Sequence, residues 1–125
     1  VILALPYPNK LLWPNGRTRN PRAKAAQVKK HRQWAYYAAC AEREAMFLLL
    51  RSASVPGAIG LHITVHGKRT GPMPDKDNVV ASVKAYQDGI AQALGIDDKH
   101  FATPTVEFAA TRTGEFVIRV GGAGL

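Results

Sequence analysis

Apolar and polar residues change their period several times along this chain, and each change marks an element. Val1-Ile2-Leu3-Ala4-Leu5 is an apolar run stopped by Pro6 and Pro8. It predicts a short buried strand at a sheet edge. Residues 6–21 hold four of the eight prolines, with Asn15-Gly16 as a turn signal, and predict an irregular arm. From Arg22 to Arg51 there is no Gly or Pro and much Ala, which predicts one long helix. Trp34, Ala38, Ala41, Ala45 and Leu48 recur at helical spacing and mark its expected inner face. Asn20-Pro21 offers an N-cap and a first-turn proline.

Val55-Pro56-Gly57 breaks the pattern. Leu61, Ile63 and Val65 then alternate with His62, Thr64 and His66, the period of a half-buried strand. Gly67 to Pro74 is a loop. Residues 78–94 predict a second helix with Val79, Val83, Tyr86, Ile90 and Leu94 as its inner stripe, and Gly95 suits its C-terminal cap. Asp97-Asp98-Lys99 falls in the loop that follows. Thr105 to Thr111 and Glu115 to Val120 predict two strands joined as a hairpin about Thr113-Gly114. The Gly-rich end, 121–125, reads as a flexible tail. The order strand, long helix, strand, helix, strand, strand predicts an α/β (α+β) fold, a small mixed β-sheet with two main helices packed on it.

Length and composition add bounds. At 125 residues the chain predicts a single domain, 1–125, and 46% apolar residues suit a folded core rather than disorder. The one cysteine, Cys40, excludes an intrachain disulfide, and no Cys/His group has zinc spacing. His62 and His66 share one strand face without being adjacent, so the histidines read as structural or surface groups. No apolar run reaches about 18 residues, so no membrane span is expected. The opening apolar run is too short for a signal peptide and lacks a basic leader. A reducing cytoplasm is the expected setting.

Charge changes the picture most. Lys and Arg number 17 against 9 Asp and Glu, a formal net charge of +8, which favours an anionic partner, nucleic acid first. Arg17, Arg19 and Arg22 make the arm basic. Lys24, Lys29, Lys30, His31 and Arg32 crowd the first half of the long helix. Cations there oppose the helix dipole, a cost that a bound phosphate reverses. Lys68, Arg69 and Lys76 add positive charge near the second helix.

Against this background, four of the nine acidic residues, Asp75, Asp77, Asp97 and Asp98, flank one predicted helix. Crowded carboxylates call for a cation between them, and a hard divalent ion such as Mg2+ prefers oxygen ligands. An acidic metal pocket in a basic protein suggests chemistry on a phosphate backbone. The plainer readings are a helix cap at Asp77 or Asn78 and a turn at Asp97-Asp98. A cap of that kind leaves Asp75 in the loop with its side chain free. Val79 and Val80 stand where an EF-hand needs an oxygen ligand and Gly, which excludes that loop. Pro74-Asp75 with Asp97-x-Lys99 also meets the loose spacing of the PD-(D/E)xK nucleases, although that family sets its halves on adjoining strands. A helix of about 17 residues is roughly 25 Å long, too long for its ends to share one ion unless it bends or a second subunit contributes.

Asp75-x-Asp77-Asn78, then Lys84-x-x-x-Asp88-Gly89-Ile90, then Gly95-Ile96-Asp97-Asp98, resembles the RusA family of Holliday junction resolvases, common in phages and prophages. The likeness extends to the apolar strand, proline-rich arm and basic helix before it. The resemblance implies a homodimeric endodeoxyribonuclease that cuts branched DNA, the four-way junction, by paired symmetric nicks in a bacterial cell. It implies Mg2+, with Mn2+ as substitute, at Asp75, Asp77 and Asp98. It also implies a catalytic lysine, which falls on Lys84. In the family that lysine lies one turn after the second aspartate, where this chain has Ala81. Lys84 keeps the same helical face but lies about 4.5 Å further along, and Lys76, Lys68 or Arg69 could serve instead. The arm and first helix, Arg17 through Arg32, would grip the junction phosphates. The alternatives are a relative that binds junctions or duplex without cutting, and a basic structural domain whose aspartates are turns and caps.

Overall fold

The computed structural model describes residues 1–16, 18–52 and 57–122. Its elements are β1 (Ile2–Pro6), α1 (Pro21–Ala41), α2 (Arg43–Ser52), β2 (Ile59–Val65), α3 (Lys76–Ser82), α4 (Lys84–Leu94), β3 (Thr105–Phe108) and β4 (Glu115–Gly122), with 3-10 turns at Lys10–Leu12 and Asp98–His100. The sheet is mixed, in the order β1-β4-β2-β3. β4 runs antiparallel to both β1 and β2, while β3 runs parallel to β2. This is the α+β architecture that the residue pattern predicts.

Period-two burial sends one face of the sheet into the core. Leu3 and Leu5, then Ile59, Leu61, Ile63 and Val65, then Phe116, Ile118 and Val120 all point inward. Ala35, Ala39, Met46, Val79, Val83, Tyr86, Ile90 and Leu94 meet them from the helices. Each large side chain so buried contributes about 1.5–3 kcal/mol. The Tyr86 hydroxyl, at the centre of this layer, donates to the Pro6 carbonyl at 2.6 Å, tying α4 to the end of β1.

The structure corrects several expectations. The first helix is two helices, α1 and α2, parted at Glu42, whose N–H closes a tight turn onto the Ala39 carbonyl at 3.0 Å. The buried row of α1 is His31, Ala35 and Ala39. Four residues beyond Ala39 a continuous helix would drive Arg43 into the core, and the break brings in Met46 instead. Ala41, Ala45 and Leu48, expected inside, are exposed, and Trp34 and Ala38 lie half-buried on the flank. In an Ala-rich helix the smallest residues mark the closest approach, a distinction that an apolar count misses. α1 packs there against Gly89 of α4. A Cβ on Gly89 would collide with the Arg32 carbonyl oxygen and sit 3.0 Å from the Ala35 Cβ.

The second helix is also two, α3 and α4, turned at Val83. The Ser82 hydroxyl donates to the Val79 carbonyl at 2.8 Å, competing with the backbone ladder as serines do where helices bend. The expected hairpin is absent. β3 is an edge strand paired with β2, and β4 lies on the far side of β2. Gly121 and Gly122, expected in the tail, extend β4 against Gly60 and Ile59; residues 123–125 lie outside the described residues.

Candidate acidic site and basic surface

Asp75 is the N-cap of α3. Its Oδ1 accepts from the Asn78 N–H at 2.9 Å, and its Oδ2 accepts from the Asn78 side-chain amide at 3.3 Å. The cap is therefore Asp75, neither Asp77 nor Asn78, and its side chain is engaged rather than free. Asp77 follows in the first turn, exposed and with no hydrogen bond or ion pair among the described residues. The dipole of α3 favours a negative charge there by a few tenths of a kcal/mol.

Lys84 opens α4 and does not point back toward Asp77. Its Nζ donates to Asp98 Oδ2, fourteen residues on, and stands 3.2 Å from Asp88 Oδ1. The bend at Val83 and the Gly95 cap return the chain so that these groups meet. Lysine four residues before its carboxylate is the weaker orientation of a helical pair, so the tertiary bond to Asp98 is the one that orients the ammonium. It also sets the electrostatics. Asp98 is held below the ordinary aspartate range chiefly by its bond to Lys84. Lys84 is raised chiefly by Asp98, with partial burial opposing and Asp88 assisting. Both side chains remain about half exposed, at 55% and 53%, which limits the pair to roughly 1 kcal/mol or less. Beside it an open depression of about 500 Å3 is lined by Asp88, Gln92, Asp97, Asp98 and Lys99. Asp97 is exposed and precedes the 3-10 turn at Asp98.

Thus two parts of the three-part motif meet and the first does not. Lys84, Asp88 and Asp98 form one cluster, and Asp75 is committed to Asn78 at the other end of α3. Among the described residues, no three Asp, Glu, His or Cys side chains are gathered closely enough to hold one metal ion. Carboxylate oxygens are the right donors for Mg2+, but Asp75 is engaged by its amide partner and Asp98 by an ammonium. As they stand, the described residues of one chain do not fit the ion. Neither Asp75 nor Asp97 lies on a strand, unlike the two halves of a PD-(D/E)xK site.

The cations expected to meet phosphate are largely unopposed. Arg19, Arg22, Lys24, Lys29 and Arg32 are exposed, with no carboxylate partner among the described residues. Lys30 is exposed and lies 5.0 Å from the centre of the Trp34 ring. Arg17 lies outside the described residues. His31, counted with these cations by sequence, is buried at 2% exposure. Its Nε2 accepts from the Asn9 N–H at 3.1 Å, so Nδ1 carries the proton and donates to the Gln27 carbonyl at 2.7 Å. Burial lowers its pKa, and the neutral ring pins the arm to α1.

Lys68, Arg69 and Lys76 are exposed. Lys68 places its ammonium 5.1 Å from the Tyr7 ring centre. Arg112, which sequence reasoning missed, holds the loop beneath, its guanidinium donating to the Lys68 and Gly71 carbonyls at 3.0 and 2.8 Å. These bonds span more than forty residues, so no local pattern announces them.

No family model matches the chain. It is 40% identical over 121 residues to an uncharacterized protein of Xylella fastidiosa, a match spanning 96% of this chain and 75% of that protein. At that identity and coverage, the chain belongs to the same family as the Xylella fastidiosa protein.

Proposed function

We propose that this chain is an endodeoxyribonuclease that cuts branched DNA at four-way junctions, working as a homodimer in the cytoplasm of a bacterial cell. The observation that carries this reading is the meeting of Lys84 with Asp98 and Asp88. It joins the later parts of the motif Asp75-x-Asp77-Asn78, Lys84-x-x-x-Asp88, Asp97-Asp98 across a bend in the chain. The unopposed cations of the arm and α1 support it as a surface for phosphate. Lys84, half exposed, is positioned to exchange its carboxylate for a phosphate oxygen and to stabilise the negative charge that grows there as the bond breaks. A second copy bringing its acidic end alongside is the arrangement this reading requires, since the described residues of one chain do not gather the donors for Mg2+ or Mn2+. Two-fold symmetry would then match the two-fold junction and its two nicks. No helix of the described residues is long and apolar enough to cross a membrane, which accords with a DNA substrate.

One observation favours a second reading, a relative that binds junctions without cutting. Asp98 already holds a cation of its own, Lys84. The two readings separate when the protein meets a labelled four-way junction and a matched linear duplex, with Mg2+ or with EDTA. Paired symmetric nicks in the junction alone, only with Mg2+, are expected of the nuclease. Binding without nicks favours the second reading, and the absence of both defeats each. Asp77→Asn should abolish nicking and leave junction binding equal or tighter, because a carboxylate facing DNA is lost.

A further inference from the structure

Beside Asp75 a cleft of about 420 Å3 runs between the arm and the 68–74 loop, within the range of sites that hold a small ring ligand. Tyr7 and Trp13 form its aromatic side, stacked with centroids 5.3 Å apart and planes 21° from parallel. Phe116 braces the Tyr7 ring edge-on at 5.0 Å. The Trp13 indole N–H donates to the Pro8 carbonyl at 3.0 Å. With Trp13 against one face of Tyr7, the Lys68 ammonium stands over the ring, where a cation is held by the aromatic quadrupole.

The walls are closely built. A Cβ on Gly16 would collide with the Lys10 carbonyl oxygen, and one on Gly67 with the Met73 sulfur. Arg112 and His31 fix the two segments that frame the opening. Lys10 and Lys68 line it together with Asn15 and Asn78, and among the described residues no carboxylate does. The Asn78 amide nitrogen is directed at Asp75, and its oxygen has no partner among the described residues.

An apolar occupant would waste the two lysines and two amides, and a bare phosphate would make nothing of the aromatic side. We propose that this cleft binds an unstacked nucleobase. The base would lie on Tyr7 and meet Asn15 and Asn78 with its polar edge. Lys68 would move from the ring to the attached phosphate, joined by Lys10. The inference rests on the nuclease reading and deepens it: a base splayed from a branch point would be read next to Asp75. A free nucleotide has the same chemistry as a nucleotide within a strand, so the test separates them.

The full chain is titrated with a four-thymidine DNA strand, with the same backbone stripped of all bases, and with dTMP, while the two indole N–H resonances are followed by NMR. Expected are a shift of the Trp13 signal with Trp34 unmoved and about tenfold weaker binding of the base-free strand. A similar loss is expected in Tyr7→Leu, with a smaller one in Lys68→Met, a surface change that leaves the fold intact. Equal affinity for both strands with Trp13 unmoved would overturn the base site and leave the nuclease reading standing. Binding of dTMP alone, with neither strand bound, would make the cleft a free-nucleotide site and overturn its role in reading a DNA strand. If no probe binds, the base site falls, and the nuclease reading is judged by the junction assay alone.

Discussion

At the scale of single residues, the same aspartate chemistry serves two ends that the chain order does not distinguish. Asp75 and Asp77 are two positions apart; one is locked by a backbone N–H and an amide, the other is unengaged. Asp75→Ala should lower stability by about 1 kcal/mol through the lost cap, and Asp77→Ala should stay within about 0.5 kcal/mol, as read in thermal melts. His31 makes a second contrast. Its buried ring resists protonation in the folded state, whereas the unfolded ring accepts a proton in the ordinary histidine range. Its contribution is therefore present above that range and is lost as pH falls through it. Melts taken between about pH 7 and about pH 5 should show falling stability that is reduced in His31→Gln. An unchanged slope in the variant would mean that His31 does not carry the dependence.

At the scale of elements, the breaks decide which groups meet. A straight helix from 76 to 94 would hold Lys84 on the face of Asp77. The Val83 turn, helped by the Ser82 hydroxyl, commits it to Asp98 instead. The crossing of α1 over α4 depends on Gly89. Alanine there should gain up to about 1 kcal/mol in helix propensity. It would also force a methyl onto the Arg32 carbonyl, a rigid backbone group that yields only if the helices part. The clash should win, and Gly89→Ala is expected to cost about 1–3 kcal/mol in denaturant unfolding. A neutral or stabilising result would show that the two helices can separate without loss.

At the scale of the whole molecule, the net charge of +8 is unevenly matched by partners. Of the carboxylates, Asp88 and Asp98 share Lys84, and Glu107 pairs with His62 at 3.3 Å and accepts from Thr64 at 2.9 Å. The cations of α1 have no such partners among the described residues. If they bind phosphates, Arg22→Ala, Lys24→Ala and Lys29→Ala should each reduce the salt slope of junction binding by about one, with little effect on stability. Anisotropy titrations across a salt series measure this, and unchanged slopes would remove α1 from the contact surface.

Local signals were sufficient for the strand alternation at Leu61, Ile63 and Val65, the Asn20 cap, the Gly95 stop and the mixed sheet with helices on it, because each depends on side-chain period or on backbone chemistry within a few residues. The charge asymmetry and the acidic pattern were equally open to reading, since composition does not depend on folding. Tertiary structure alone decided that Ala35 and Ala39 rather than Ala41 and Ala45 face the core, because the choice is set by how closely Gly89 lets α4 approach. It alone made β3 the parallel neighbour of β2, a pairing carried by backbone groups more than forty residues apart in sequence. It alone gave Lys84 to Asp98 and Asp75 to Asn78, because an ion pair or a cap belongs to whichever groups the bends bring within reach.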